Sequence, residues 1–167
     1  MQFAGIVMAA GLAIGCCALA GQSHADRLQG DWTEAQSLRE LPPGVQVLLG
    51  VGLSPRDGGI ADRGENFNAS DVWADGMPPA RRFVLGLVSG DKALVALEQG
   101  GRARQFKAVE FRQSGSTWAP VRCVSTRAIP HHGAELLEFV AANRPPGTCS
   151  LAGVLPSGAA DAPTPPR

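Results

Sequence analysis

Short apolar runs separated by turn residues occupy the centre of the chain, from Arg82 to Ser125. Turn signals fall there at nearly even spacing, at Gly90-Asp91, Gly100-Gly101 and Ser114-Gly115-Ser116. This spacing predicts four antiparallel strands joined by hairpins. Both sets of alternating positions are apolar, so both faces of the sheet must be covered. The meander therefore either curls into a small barrel or carries helices and loops on its second face.

The turns also predict which side chains share a face, if each turn is taken as a hairpin centre. The first face receives Phe83, Leu85, Leu87, Leu94, Ala96, Val109, Phe111, Val121 and Cys123. The second face receives Val84, Val88, Ala93, Val95, Leu97, Phe106, Ala108, Trp118 and Val124.

One helix is predicted before this meander in the sequence and one after it. Asp31 to Leu41 has the pattern of an N-terminal helix, with Asp31 as its cap, Glu34 in the capping-box position and a proline pair at its end. Ala134 to Ala142 presents Leu136, Phe139 and Val140 at helical spacing. The fold class predicted is α+β: a four-stranded antiparallel meander with an N-terminal and a C-terminal helix packed on it. Between helix and meander, the apolar run Val45 to Leu49 suits a strand.

A loop-rich region rich in glycine runs from Ser54 to Pro79, with one short strand predicted near Asn66 to Trp73. Within it, Trp73 and Met77 stand beside two acids in a turn-rich stretch, which suits contact with a partner. Because tryptophan side chains are usually largely buried, the favoured interpretation is instead that Trp73 folds back to plug the open end of the sheet. The candidate contact residues are Asp71, Trp73, Asp75 and Met77.

The N-terminal residues predict export. Residues 1–25 have the pattern of a cleaved signal peptide, with an uncharged run over residues 3–20 and small residues that permit cleavage after Ala20 or Ala25. The alternatives are an anchor formed by residues 3–20 and a lipoprotein. Residues 26–150 are then one globular domain, and the Pro- and Ala-rich residues 151–167 are a disordered tail. The location expected is periplasmic or secreted, with membrane contact only if the leader is retained.

Export also determines which cysteines remain in the mature protein. Removal of the leader leaves Cys123 and Cys149 as the cysteine pair of the mature protein. Oxidising compartments usually pair such cysteines, so a disulfide between them is predicted, the alternative being two unpaired buried thiols. The bridge would join the last strand to the end of the C-terminal helix, which suits an architectural role.

Charge excludes some partners. Fifteen basic and fifteen acidic residues give a formal net charge of zero. Long-range attraction to nucleic acid or to anionic membrane is therefore not expected. A local polar patch is predicted on one face of two neighbouring strands, where it either binds an acidic ligand or is a solvated sheet end offset by Glu98 and Glu110. Its members are Arg102, Arg104, Arg112 and Arg122.

Candidate catalytic chemistry is sparse. His131 and His132 precede the C-terminal helix and Glu135 lies within its first turn. Adjacent residues at a helix start point in different directions, and a zinc site needs further ligands. The sequence therefore favours an exported, non-enzymatic binding protein without a cofactor, such as an inhibitor, an immunity-type factor or an accessory subunit with an envelope or secreted protein partner. The alternative is a small envelope hydrolase or metal-handling protein that uses these three residues.

Overall fold

The computed structural model describes residues 30–126, 128–143 and 149–159. The predicted leader, residues 1–25, lies outside the described residues, as do residues 160–167 of the predicted tail. Within the described ranges, no helix has both the length and the apolar character needed to cross a bilayer.

The centre of the molecule is one five-stranded antiparallel sheet, so the predicted count of four strands was one too few. Its strands follow one another in sequence order from one edge to the other. The first and the last strand form the two edges and do not pair with each other in the described part of the chain, so closure into a barrel is not confirmed. The strands are β1 (Thr33–Ala35), β2 (Arg81–Ser89), β3 (Lys92–Gln99), β4 (Gln105–Ser114) and β5 (Thr117–Thr126).

The additional strand replaces the predicted N-terminal helix. Residues 33–35 pair with residues 86–88 of β2, and Leu38–Glu40 forms only a short 3₁₀ turn. Glu34 does not cap a helix of its own segment, because its carboxylate accepts a hydrogen bond from the Gly133 backbone N–H at 2.7 Å. Pairing with the sheet therefore outweighs a local helical preference that is worth little per residue.

The predicted strand at Val45 to Leu49 is instead a helix, α1 (Pro43–Leu49). Pro43 lies in the first turn of this helix, where a backbone N–H has no partner within the helix and its absence costs nothing. The proline pair therefore marks the beginning of α1 and not the end of the predicted N-terminal helix. Gly50 ends it with φ of 84°, a conformation that favours glycine. Val45 and Leu49 are fully buried one turn apart, whereas a five-residue apolar run is ambiguous between helix and strand.

Both faces of the sheet are packed, as the two apolar position sets require. On one face, helix α1 lies over a core that includes Phe83, Val95 and Phe111. On the other face, helix α2 (Gly133–Ala142) places Leu136 and Val140 against a second core that includes Leu85 and Leu94. The fold is therefore α+β, with one helix on each side of the sheet.

The predicted division of side chains between the faces was wrong for most of β2, for all of β3 and for Trp118. Leu94 and Ala96 of β3 lie in the α2 core and not with Val109, because Gln99 pairs with Gln105 and the connection between β3 and β4 is longer than the predicted two-residue turn. A register shift between β4 and β5 places Trp118 in the α1 core.

The error in β2 has a separate cause. A register shift between Phe83 and Leu85 changes the side to which the following residues point. Leu85 and Leu87 therefore belong to the α2 core, while Phe83 belongs to the α1 core. Sequence alternation alone gives no sign of such a bulge.

The chain remains packed beyond residue 150, the predicted end of the domain. We call residues 149–159 the C-terminal strap. It contains a 3₁₀ turn at Leu151–Gly153, and Val154 and Leu155 are buried in the α1 core. The reason is that these apolar side chains fill space beside Val45 and Leu49.

The strap begins at the predicted disulfide. Cys123 of β5 and Cys149 lie at disulfide-bonding distance, with their Cα atoms 5.7 Å apart, as such a bond requires. The bridge closes a loop with a sequence separation of 26 residues. It therefore connects the sheet edge to the strap that completes the α1 core.

Replacing both Cys123 and Cys149 by Ser should lower the free energy of unfolding by about 3–4 kcal/mol, because the closed loop restricts the unfolded chain. Urea denaturation of the oxidised protein and of the double variant measures this difference. Titration of free thiols in the denatured, unreduced mature protein is the accompanying control and should find none. Two reactive thiols per molecule would contradict the bridge.

Candidate functional site

The loop that carries Trp73 is held at its base by one buried polar residue, Asn68. We call residues 68–79 the Trp73 loop. The Asn68 side-chain amide donates to the Val72 carbonyl at 2.7 Å, and its side-chain oxygen accepts from the Ser70 N–H at 3.0 Å. The Asn68 N–H donates to the Pro79 carbonyl at 2.8 Å, which joins the two ends of the loop. The loop base is therefore fixed by hydrogen bonds rather than by regular secondary structure, and no strand forms at the predicted Asn66–Trp73 segment.

The tip of this loop presents large apolar side chains to solvent. Trp73 is 43% exposed and its neighbour Val72 is 60% exposed. Trp73 therefore does not plug the end of the sheet. An exposed indole held on a fixed loop is a typical element of a binding surface, because it offers a large contact area at small entropic cost.

A shallow surface cleft of about 280 Å³ lies beside Trp73. One wall is the Trp73 loop from Trp73 to Met77, and the other is formed by Ser54, Pro55 and Arg56. Small-molecule sites usually enclose roughly 300–1,000 Å³ and bury most of their ligand. A cleft of this size and shape suits one side chain of a larger partner better than a separate small molecule.

The charges around the cleft are paired. Arg56 forms an ion pair with Asp75, and both side chains are well exposed. Arg102 lies 3.7 Å from Asp71, again with both side chains in solvent. Exposed pairs of this kind contribute little to stability and can rearrange when a partner approaches. Three of the four predicted contact residues, Trp73, Asp75 and Met77, thus line one cleft, while Asp71 lies at the start of the same loop.

The four arginines predicted as one patch are divided by the structure into separate groups. Arg102 and Arg104 lie in the turn before β4, where Arg104 pairs with Glu98. Arg112 and Arg122 instead pair with Glu110, at 3.0 Å and 3.4 Å. Arg102 pairs with Asp71, Arg104 with Glu98, and Arg112 and Arg122 with Glu110, so the arginines do not form a single cationic surface for an acidic ligand.

Glu98, the partner of Arg104, is almost completely buried, at 1% exposure. Arg82 donates two hydrogen bonds to it, the shorter at 2.6 Å, and Arg104 donates another. The Arg82 guanidinium also stacks over the Phe67 ring at 4.3 Å. Burial by itself would raise the pKa of Glu98, but the hydrogen bonds from Arg104 and Arg82 outweigh it and hold the pKa below its usual value. The ionised Glu98 carboxylate thus holds two arginines against the sheet: Arg82, on which Phe67 stacks, and Arg104 of the turn before β4.

Glu98→Gln should lower the free energy of unfolding at pH 7 by about 2 kcal/mol, because the amide cannot accept from both arginines and leaves their charges uncompensated. The pKa of Glu98 is lower in the folded state than in the unfolded state. Its stabilisation is therefore complete above the unfolded pKa and is lost as the pH falls through the folded value. Urea denaturation at pH 7 and near pH 3 should show the difference between wild type and variant shrinking in acid. Glu138→Gln, at an exposed position on α2, is the matched control; equal effects of the two substitutions would contradict the role of Glu98.

His131, His132 and Glu135 lie at the start of α2, and His132 is its N-cap. Both histidines are exposed. Glu135 is occupied by the backbone, because its carboxylate accepts from the His131 N–H at 2.7 Å, and this bond lowers its pKa. In the described ranges, no group of three or more His, Cys, Asp or Glu side chains is arranged to hold a metal ion. The local geometry is that of a helix N-terminus capped by acids.

One polar pair was not predicted from the sequence. Lys107 of β4 is buried, and its ammonium donates to the Ser125 hydroxyl of β5 at 3.1 Å. The two residues are direct cross-strand partners. Burial lowers the pKa of Lys107. The hairpin register could have indicated this contact, although neither residue type marks it on its own.

No protein-family model matches this chain, and no curated protein or solved structure matches it significantly.

Proposed function

We propose that this protein is an exported, non-enzymatic binding protein, and that it contacts an envelope or secreted protein partner through the Trp73 loop. An inhibitor, an immunity-type factor and an accessory subunit are the functional classes that fit. The observation that carries the proposal is the exposed Trp73 beside a cleft, on a loop whose base is fixed by Asn68.

Three physical features support a protein partner. The exposed apolar surface of Val72 and Trp73 would be removed from water on binding, which is the main driving force for association. Paired charges, Arg56 with Asp75 in the cleft and Arg102 with Asp71 at the start of the Trp73 loop, supply groups that can exchange partners across an interface. The fixed loop base also reduces the entropic cost of ordering the surface on binding.

The enzyme alternative has less support from the contacts. The Glu135 carboxylate accepts from the His131 backbone N–H, and both histidines are exposed. A backbone bond of this kind stabilises the start of a helix, whereas a hydrolase needs its acid or base placed against a nucleophile or a substrate.

Photocrosslinking tests the binding surface directly. A photoreactive amino acid placed at Ala74, which lines the cleft, should give a discrete protein adduct in cells of the source organism, whereas the same probe at the exposed Ala134 on α2 should not. Trp73→Ala combined with the Ala74 probe should reduce the adduct at least tenfold, since a central interface tryptophan typically contributes about 2 kcal/mol or more. Val47→Ala, which removes an even more exposed apolar side chain from α1, should leave the adduct unchanged. An adduct insensitive to Trp73→Ala, or its absence at Ala74, would contradict the proposal.

Export is tested separately by intact mass. Protein recovered from the periplasm or the medium should lack the first 20 or 25 residues, because cleavage is expected after Ala20 or Ala25. Mass spectrometry of the purified protein gives the mature N-terminus. Retention of Met1 in membrane fractions would instead support the anchored alternative, and unprocessed protein in the cytosol would contradict export.

A further inference from the structure

The cleft beside Trp73 is connected to the disulfide through a buried arginine. Arg81, the first residue of β2, is only 7% exposed. Its guanidinium donates to backbone carbonyls of three separate segments: Leu49 at the end of α1, Val154 in the C-terminal strap, and Gly58 in the loop that follows α1. Burial lowers the pKa of Arg81 to about 10, so the group stays protonated at neutral pH.

The Gly58 contact leads directly to the cleft. Gly58 belongs to a tight turn in which the Asp57 and Gly59 N–H groups both donate to the Ser54 carbonyl, at 3.1 Å and 2.9 Å. The same turn contains Ser54, Pro55 and Arg56, which form the cleft wall opposite Trp73. The position of the Gly58 carbonyl therefore sets the position of the wall.

The strap closes this arrangement from outside. Gly58 has φ of 87°, and a Cβ atom at this position would meet Pro156 of the strap at 3.2 Å. The strap is held by the Cys123–Cys149 bridge, by burial of Val154 and Leu155, and by a hydrogen bond of 3.0 Å from the Gln99 side chain to the Gly153 carbonyl. Arg81 and Pro156 thus fix the turn from two sides.

We infer that Arg81 is a positioning residue for the Trp73 cleft, and that the Cys123–Cys149 bridge controls the shape of this cleft by keeping the strap against the turn at residues 54–59. The inference rests on the proposed function in taking the cleft as the binding site. Lysine cannot reproduce these contacts, because the three N–H donors of an ammonium share one nitrogen. The planar guanidinium instead reaches the Val154 carbonyl from one nitrogen and the Leu49 and Gly58 carbonyls from another. Reduction of the bridge should release the strap. The cleft wall should then loosen, because Pro156 of the strap no longer holds the turn at Gly58.

Amide hydrogen exchange of the full mature protein, followed by NMR, tests the coupling without a ligand. Arg81→Lys should accelerate exchange at the Asp57 and Gly59 amides at least tenfold, because their turn loses its support. Exchange at Val95 and Val109, in the central strands, should change less than twofold. Arg63→Lys, at an exposed position, is the matched control and should change neither set. The Cys123→Ser/Cys149→Ser variant also loses global stability, so exchange in its central strands should accelerate as well. Its test is therefore the folded-state amide chemical shifts of Asp57 and Gly59, which should move while that of Val95 stays in place. This measurement also decides the question if Arg81→Lys does not fold.

Equal acceleration at the turn and in the central strands would mean that Arg81 acts only on global stability, and this outcome would overturn the inference. Unchanged exchange at Asp57 and Gly59 in Arg81→Lys, or unchanged chemical shifts of these amides in the double-serine variant, would overturn it as well. The crosslinking yield at Ala74 is the functional readout, and it should fall at least fivefold when the bridge is absent. If the Ala74 probe gives no adduct in the wild-type protein, the proposed function fails, whereas the exchange measurement still decides whether Arg81 positions the turn.

Discussion

The whole architecture depends on a sheet that is apolar on both faces. Because strands β2 to β5 carry large hydrophobic side chains in both directions, neither face can meet water, and the rest of the chain is arranged to cover them. Helix α2 covers one face with Leu136 and Val140. The other face needs helix α1 and the C-terminal strap together, since Val45, Leu49 and Val154 belong to the same core. The disulfide therefore serves packing, because it holds in place a segment without which one face would be incompletely covered.

The candidate binding surface arises from this arrangement at one end of the sheet. The loops that connect α1 to β2 are long and contain little regular structure, so their backbone groups must find partners elsewhere. Two buried polar side chains provide them. Asn68 organises the Trp73 loop through its side-chain amide, and Arg81 connects the turn at residues 54–59 to α1 and to the strap. Exposed apolar surface at Trp73 is thus compatible with a well-defined loop, because the loop is held from within.

How far sequence reasoning reaches differs between the elements. The hairpin turns at Gly90-Asp91 and Gly115-Ser116 lie where turn chemistry indicated, since glycine at positive φ is a local requirement. The helix α2 has a clear apolar period, and the predicted range, Ala134 to Ala142, agrees with the observed one, Gly133–Ala142, to within one residue. The segment from Asp31 to Leu49 was interpreted incorrectly, with helix and strand exchanged. Its apolar spacing is compatible with either structure, and pairing of residues 33–35 with β2 is a contact at a distance of about fifty residues that no local pattern encodes.

The site residues divide in the same way. Trp73, Met77 and Asp75 could be selected from composition, because an aromatic beside acids in a turn-rich stretch is a recognisable surface signal. Neither Asn68 nor Arg81 carries a local sequence signal, so neither was identified as a structural centre. Their roles depend on which carbonyls surround them in the folded chain.

The sequence by itself determined the α+β class, the need to cover both faces of the sheet, and the pairing of Cys123 with Cys149, because alternation, helical period and cysteine count are local or countable properties. Only the tertiary structure decided the fifth strand, the bulge in β2 and the placement of the strap. It also decided that the four arginines separate and that Trp73 stays exposed. These features depend on which distant segments come together, and the free energy of those contacts exceeds the small preferences that a local pattern expresses.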